Sequence, residues 1–268
     1  MGLSDVHAHL THPSLAGRLD EVLARARGAG VTSIVSNGLN PEDNERVLAL
    51  ARRDSLVKPA LGLYPVDAVL LEMRALGVEY PREAAHEPSA EEAIAWLRDH
   101  VEHAFAVGEV GLDGYWVPES LWARQEEVFR SLVALALEAD KPLIIHTRKR
   151  ERRALEILLE MGARRVVFHC FGGKLKLARE VAERGFWLSI PANARRSESF
   201  TRMLQSLPRD KLLLETDCPY LGPEKAVESE PHNVGITARY AAELWQQEEA
   251  YVSDQLACNF TAVFGVPP

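Results

Sequence analysis

The string Asp5-Val6-His7-Ala8-His9, with Leu3 before it and Leu10 after it, reads as a β-strand. Side chains two apart on a strand share a face, their Cα atoms ~7 Å apart. His7 and His9 can therefore aim both imidazoles at one cation, and neutral imidazole is the commonest nitrogen ligand for a transition metal. Two histidines on one strand face are more often ordinary polar residues. The metal reading gains weight only if other strands supply the missing ligands, which requires dividing the whole chain into elements.

Strand and helix patterns alternate from start to end. Strands are expected over 3–9, 31–36, 57–63, 105–111, 142–147, 166–171, 186–191 and 211–217. An amphipathic helix is expected over 15–29, with Leu15, Leu19, Val22 and Leu23 on one stripe and Gly28 and Gly30 closing it. Pro41 opens the next helix, over 41–53. Ser89 with Glu92 three residues on forms a capping box ahead of a helix reaching about 103. Further helices are expected over 118–139, 151–161, 174–184, 197–205, 232–247 and 250–264. The stretch 66–88 is the least legible, with one short apolar helix pattern over 68–76 and then a polar segment containing proline. Eight strands, each followed by a helix, predict a (β/α)8 TIM barrel forming one domain over 1–268, with its site at the C-terminal ends of the strands. The strands are mostly continuous apolar runs, as expected when both faces are covered. The alternative, an open doubly wound sheet, lacks its usual glycine-rich phosphate loop after the first strand.

Composition narrows the class. The 268 residues are 47% hydrophobic, a globular content, and carry 31 Lys+Arg against 39 Asp+Glu, a net charge of −8. That balance argues against avid non-specific binding to long duplex nucleic acid, while leaving room for a small basic pocket. No apolar run approaches the ~18–20 residues that span a bilayer, so no membrane partner is expected. No basic region followed by an apolar core precedes the first strand, so no signal peptide is expected. Cys170, Cys218 and Cys258 are an odd set, which argues for a reducing compartment and a cytoplasmic location.

Returning to the strand ends, the first carries His7 and His9, the fourth Glu109, the fifth His146, the sixth His169 and the eighth Asp217. Any one of these could be a chain leaving the core for solvent. Five strands ending this way, with His, Glu and Asp and no Lys, are poorly explained so. The inventory suits two divalent cations with a carboxylate between them. Zinc, manganese, iron or nickel fit these donors, and magnesium, which prefers more oxygen, fits less well. Two metals ~3.5–4 Å apart can clamp a phosphoryl group and produce a nucleophile near neutral pH.

The same residues carry a resemblance. The order His-x-His, Glu, His, His, Asp is that of the amidohydrolase superfamily. The strings Gly108-Glu109-Val110-Gly111-Leu112-Asp113, Ile145-His146-Thr147-Arg148, His169-Cys170-Phe171-Gly172-Gly173 and Leu214-Glu215-Thr216-Asp217-Cys218-Pro219 resemble its TatD-type branch, the metal-dependent deoxyribonucleases. Glu230-Pro231 and Asn259-Phe260 also sit where that family has such residues. The resemblance implies that His7, His9, Glu109 and Asp217 hold a first metal, and Glu109, His146 and His169 a second. It departs in three places: Tyr64 stands where the family usually has His, Glu228-Ser229 where it often has Arg-Asn, and 66–88 is longer than expected. All three are expected to border the substrate.

Arg148, two residues after His146, is expected to reach a substrate phosphate, where a bidentate guanidinium suits the geometry. The rest of the cluster Lys149, Arg150, Arg152 and Arg153 reads mostly as surface. Arg195, Arg196 and Lys225 are further candidates for substrate contact; Glu215 and Asp113 are candidates to orient a ligand. Cys170 and Cys218 are expected to pack, and His12, His86, His100 and His103 to lie on the surface. His232 reads as structural, and Trp116 and Trp122 as packing more than base stacking.

Two activities follow. One is a metal-dependent 3′-end exonuclease on single-stranded or short DNA, with the metals activating water and Asp217 accepting its proton. The other is an acyl hydrolase acting on a cyclic amide, lactone or aminoacyl ester. A third reading, a non-catalytic metal or nucleic-acid binder, leaves a costly buried ligand set without a use. The sequence leaves the oligomeric state open.

Overall fold

The computed structural model describes residues 2–81 and 87–268. Eight strands form one parallel sheet in sequence order: β1 (Leu3–Ala8), β2 (Val31–Asn37), β3 (Val57–Leu61), β4 (Ala106–Asp113), β5 (Leu143–Arg148), β6 (Val166–Phe168), β7 (Trp187–Ile190) and β8 (Leu212–Leu214). Helices alternate with the strands, and the sheet curls into a nearly closed barrel. β1 and the end of β8 meet through Asp217 N–H to the His7 carbonyl and His9 N–H to the Cys218 carbonyl, both at 2.9 Å.

Two apolar layers hold the barrel. A large core packs strand residues such as Ile34, Leu61, Val107, Ile145 and Leu188 against the surrounding helices. A separate cluster gathers Val6, Val35, Ala60, Ala106, Ile144, Val167 and Leu213 with Phe260 and Phe264 of the helix Glu249–Phe264. Side chains from strands all round a barrel meet only inside it, so this cluster is the barrel's interior, with the last helix closing its floor. Polar groups are thereby confined to the opposite, C-terminal end of the strands.

Some expectations change at element ends. The helix expected over 15–29 is two, Pro13–Ala16 and Leu19–Gly28. Arg18 (φ −134°, ψ 19°) leaves helical geometry between them, and its guanidinium reaches Glu228 and Glu230. Strands β6 and β8 stop earlier than expected, because Cys170 (φ 41°) and Asp217 (φ 51°) turn into the left-handed region just beyond them. The Ser89–Glu92 capping box is present at the helix Ala90–His100.

Within 66–88, a 3-10 turn Asp67–Val69 leads into the helix Leu70–Ala75. Val66, Val69 and Met73 pack with Val117 in a small cluster of their own, flanked by Tyr64, Tyr80 and Trp116. This segment thus builds a wall beside the barrel mouth. His86 lies outside the described residues. Among the described residues no helix is long and apolar enough to cross a membrane.

The C-terminal helix is tied to the barrel by Asn259, whose amide donates to the Arg209 and Leu212 carbonyls, each at 2.7 Å, at the start of β8. Asn259→Ala leaves those carbonyls without this donor in a buried setting, so a loss of about 1–3 kcal/mol is expected, measurable by urea unfolding.

Candidate metal centre

A cavity of about 890 Å³ opens at the C-terminal end of the barrel, and its lining includes His9, Glu109, His146, His169 and Asp217. Glu109 lies at its base, 2% exposed. The strand register shifts between Val107 and Val110, around Glu109, and again between Asp5 and Ala8 on β1. The second shift lets Val6 join the interior cluster while His7 and His9 still converge. Glycine makes room on either side. A methyl group on Gly62 would come well under 3.0 Å from the Gly108–Glu109 peptide, and one on Gly111 (φ 149°) would strike the His146 backbone.

The two oxygens of Glu109 face different partners. Oε1 is 2.7 Å from His146 Nδ1 and 3.0 Å from His169 Nε2. Oε2 is 3.7 Å from His7 Nε2 and 3.6 Å from His9 Nε2. Asp217 Oδ1 closes the second side, 3.5 Å from His7 Nε2 and 3.4 Å from His9 Nε2. The donor atoms of His7, His9 and Asp217 lie within 4.8 Å of one another, as do those of His7, Glu109 and His169. All six residues expected at the strand ends are therefore in one place, with His7 near both halves.

Several have polar groups behind them. Asp113 Oδ2 meets His146 Nε2 at 3.1 Å, and its other oxygen accepts the Tyr115 and Trp116 amides. Glu215, fully buried, accepts from the Ser189 hydroxyl and lies 3.8 Å from His169 Nδ1. His9 Nδ1 is 3.2 Å from the Asn37 carbonyl. Asp5 was passed over in the sequence, although it shares the His7-His9 parity in an apolar run. Its carboxylate accepts from the Thr216 amide and hydroxyl and from the His7 amide, joining β1 to the segment that carries Asp217.

The electrostatics follow from this burial. Desolvation pushes the Glu109 carboxyl up, but the charges and hydrogen bonds of His169 and His146 outweigh it and hold Glu109 well below the usual range. Burial, with His169 as the nearest like charge, drives His7 well below its ordinary value, leaving a neutral ring. Burial also works downward on His9 and His146. Asp217 and Glu109 nevertheless raise His9 to about 9, and Asp113 and Glu109 raise His146 to about 9. Burial, reinforced by Asp217, raises Glu215 well above the carboxylate range. Burial likewise raises the Cys170 and Cys218 thiols, consistent with packing.

The donor set fits divalent cations. His7 Nε2 and His9 Nε2 stand 3.2 Å apart, both turned toward carboxylate oxygens, and His7 Nδ1 has no hydrogen-bond partner. Ionised carboxylates this deeply buried need positive charge beside them, which a metal supplies without protonating the imidazoles.

The other candidates divide. Arg148 lines the cavity, and Tyr64 lines it with its ring edge-on to His146, centroids 5.0 Å apart. Trp116 is also on the wall, and His12, expected on the outer surface, is on the rim. Lys225 stands exposed outside the cavity lining. Arg195 pairs with Glu243 at 2.6 Å, and Arg196 donates to the Pro223 and Gly222 carbonyls, so neither is directed to the cavity. Glu230 is not at the pocket but buried, gripped by Arg18 and by Arg25 at 2.7 Å, because its loop folds back over the helix Leu19–Gly28. His232 contacts Glu230 at 3.3 Å, in keeping with a structural role. Trp122 lies under Arg150, ring centroid 4.1 Å away.

Comparison with known proteins places the chain among relatives. The family model for TatD-related DNases matches residues 4–265. The chain is similar to human deoxyribonuclease TATDN3, 32% identical over 251 residues, covering 91% of this chain and 88% of the relative. It is also similar to a 3′-5′ ssDNA/RNA exonuclease TatD of Cronobacter sakazakii, 33% identical over 232 residues, covering 82% of this chain and 79% of that protein. Among solved structures it resembles YjjV, a TatD homologue from Escherichia coli K12, with a TM-score of 0.85 and 26% identity over 99% of this chain and 98% of that one.

Since a Cβ on Gly62 would collide with the Gly108–Glu109 peptide, Gly62→Ala is expected to leave the far-ultraviolet circular dichroism intact while displacing Glu109. Divalent-ion affinity by calorimetry should fall by roughly 10–100-fold, as for other disturbances of groups that support metal ligands.

Proposed function

This chain belongs to the family of TatD-related DNases, and from that membership we propose that it trims single-stranded or short DNA from the 3′ end. Family members are metal-dependent hydrolases of phosphodiester bonds. The observation that carries the reading for this chain is the division of Glu109 between two imidazole sets in a cavity that Arg148 also lines. Such a carboxylate suits two cations, and Arg148 suits a phosphate. The 3′ polarity is supported by the exonuclease relative.

His7, His9, Glu109 and Asp217 would hold one divalent ion, and Glu109, His146 and His169 the other; zinc, manganese, iron and nickel match these donors best. When bound, such a pair supplies Lewis acidity at the phosphoryl oxygen and a nucleophilic water near neutral pH. The protein's own residues do the rest. Asp217 accepts the proton of the attacking water through its carboxylate. Arg148 offsets charge on the phosphoryl oxygens with a forked guanidinium. Asp113 fixes the ring plane of His146, Glu215 stands 3.8 Å from His169, and Asp5 fixes the position of Asp217 through Thr216. Tyr64, in place of the family's histidine, lends the phosphate no cation.

Two outcomes are expected. Asp217→Asn and Glu109→Gln keep the shape but remove a negative ligand, and loss of the general base alone lowers turnover by ~10²–10⁴-fold, with unfolding midpoints close to the parent. Near-normal turnover by metal-loaded Asp217→Asn would exclude it as the base. Arg148→Ala should impair cleavage of an oligonucleotide much more than that of a neutral ester or lactam; equal loss on both, or ester cleavage without any oligonucleotide cleavage, would favour an acyl hydrolase instead.

A further inference from the structure

A second cavity adjoins the first, and the chemistry above does not use it. This groove, about 700 Å³, is formed by residues of the segments 149–153 and 172–177, with Trp122 on one wall. The segments follow β5 and β6, whose ends carry His146 and His169, so the groove opens on the same face of the barrel as the metal centre.

Its cations are not all neutralised. Arg152 pairs with Glu180 at 2.6 Å, and Arg150 and Arg153 converge on Glu126. Lys149 and Lys174 are exposed, and among the described residues neither has a carboxylate within hydrogen-bonding or ion-pair reach. Lys176 lies in the field of Glu180, one turn further along its helix. The groove's own acid, Glu151, lines it and accepts the Lys149 backbone amide at 3.1 Å, which occupies one of its oxygens. Arg150 is only 8% exposed, and its Nη1 has no hydrogen-bond partner.

The groove and the metal-centre cavity are lined by consecutive residues. Arg148 lines the cavity and Lys149 the groove. Both cations lie over the ring of Tyr115, at 3.8 Å and 4.8 Å from its centroid, and Tyr115 is 48% exposed. Beyond it the lining includes Gly172 and Gly173, which carry no side chains of their own, although the Glu151 side chain lies beside them. The helix Leu175–Glu183 begins there with Lys174 as N-cap and no side-chain cap, adding its positive end to the lysines. On a chain of net charge −8 this cationic line is a local exception.

We propose that the groove binds the phosphodiester backbone of the single strand several nucleotides from the bond being cut, with Tyr115 as the ridge over which the strand passes into the cavity. This rests on the nuclease reading. Lys149, read from the sequence as surface, and Lys174 become contacts to the body of the substrate. Binding of this kind combines backbone charge with an aromatic platform and is indifferent to base identity.

The experiment compares the metal-loaded parent with the double variant Lys149→Ala, Lys174→Ala on a dinucleotide and on a single strand of ~10 nucleotides, within the usual site size of such grooves. For the longer strand, KM should rise on the order of tenfold, and losing two phosphate contacts at ~0.7 each should flatten its logarithmic salt slope by ~1.4. kcat, and all values for the dinucleotide, should stay at the parent level. An unchanged KM and salt slope on the longer strand overturns the proposal. If the parent cleaves neither substrate, the nuclease reading fails, and fluorescence anisotropy with the same strand decides the groove by itself. Binding that weakens in the double variant supports it, whereas equal binding or none overturns it.

Discussion

A buried carboxylate with two differently occupied oxygens is the constraint around which this molecule is arranged. Glu109 is almost sealed from water, yet its neighbours hold it ionised. That state is tolerable only if positive charge stands on both sides, and imidazoles do stand on both sides. Desolvating an ion of this size without compensation costs several kcal/mol, so the histidines, or the cations that replace their protons, are a condition of the fold at this end of the barrel. The separation of duties in the structure follows. The apolar interior and the Phe260–Phe264 floor stabilise the lower barrel, and the polar end carries groups that would be costly anywhere else.

Placement of those groups depends on backbone features rather than on side-chain reach. Gly62 and Gly111 admit chain segments where any Cβ would collide, and register shifts on β1 and β4 aim His7, His9 and Glu109 inward. A further ring of partners, Asp5 with Thr216, Asp113 with His146 and Glu215 beside His169, removes freedom from the ligands. Preorganisation of this sort lets a site meet a developing charge without rearranging. At the rim, the chain differs from its family's usual pattern. Tyr64 and Trp116, with Tyr80 from the segment that is longer than expected, line one aromatic wall, and Arg148 and Lys149 lie over the neighbouring Tyr115.

The barrel and the six inward residues were legible in the sequence because the strands are apolar runs that each end abruptly on a ligating side chain. Parity carried less far. β8 ends at Leu214 and Asp217 turns into the left-handed region beyond it, so strand parity does not govern Glu215 and Asp217, although both lie at one centre. Asp5 was hidden because an acid before a His-x-His pair looks like one more polar residue, and its partner Thr216 is far away in sequence. Glu228-Ser229, expected to border the substrate, lie outside the cavity lining because Arg18 and Arg25 capture their loop through Glu228 and Glu230, a long-range ion pairing that spacing cannot reveal. Arg195 and Arg196 share a strand end with the site but are drawn to Glu243 and to loop carbonyls. Charges on loops answer to whichever partner folding brings near.

The bridging position of Glu109 is tested most directly by counting metal. The chain, loaded with zinc or manganese and desalted, is assayed by plasma mass spectrometry, beside a crystal structure using anomalous scattering at the metal edge. Two ions per chain, one on each oxygen of Glu109, is the result expected. A single ion, or two ions with Glu109 bound to only one of them, would contradict it.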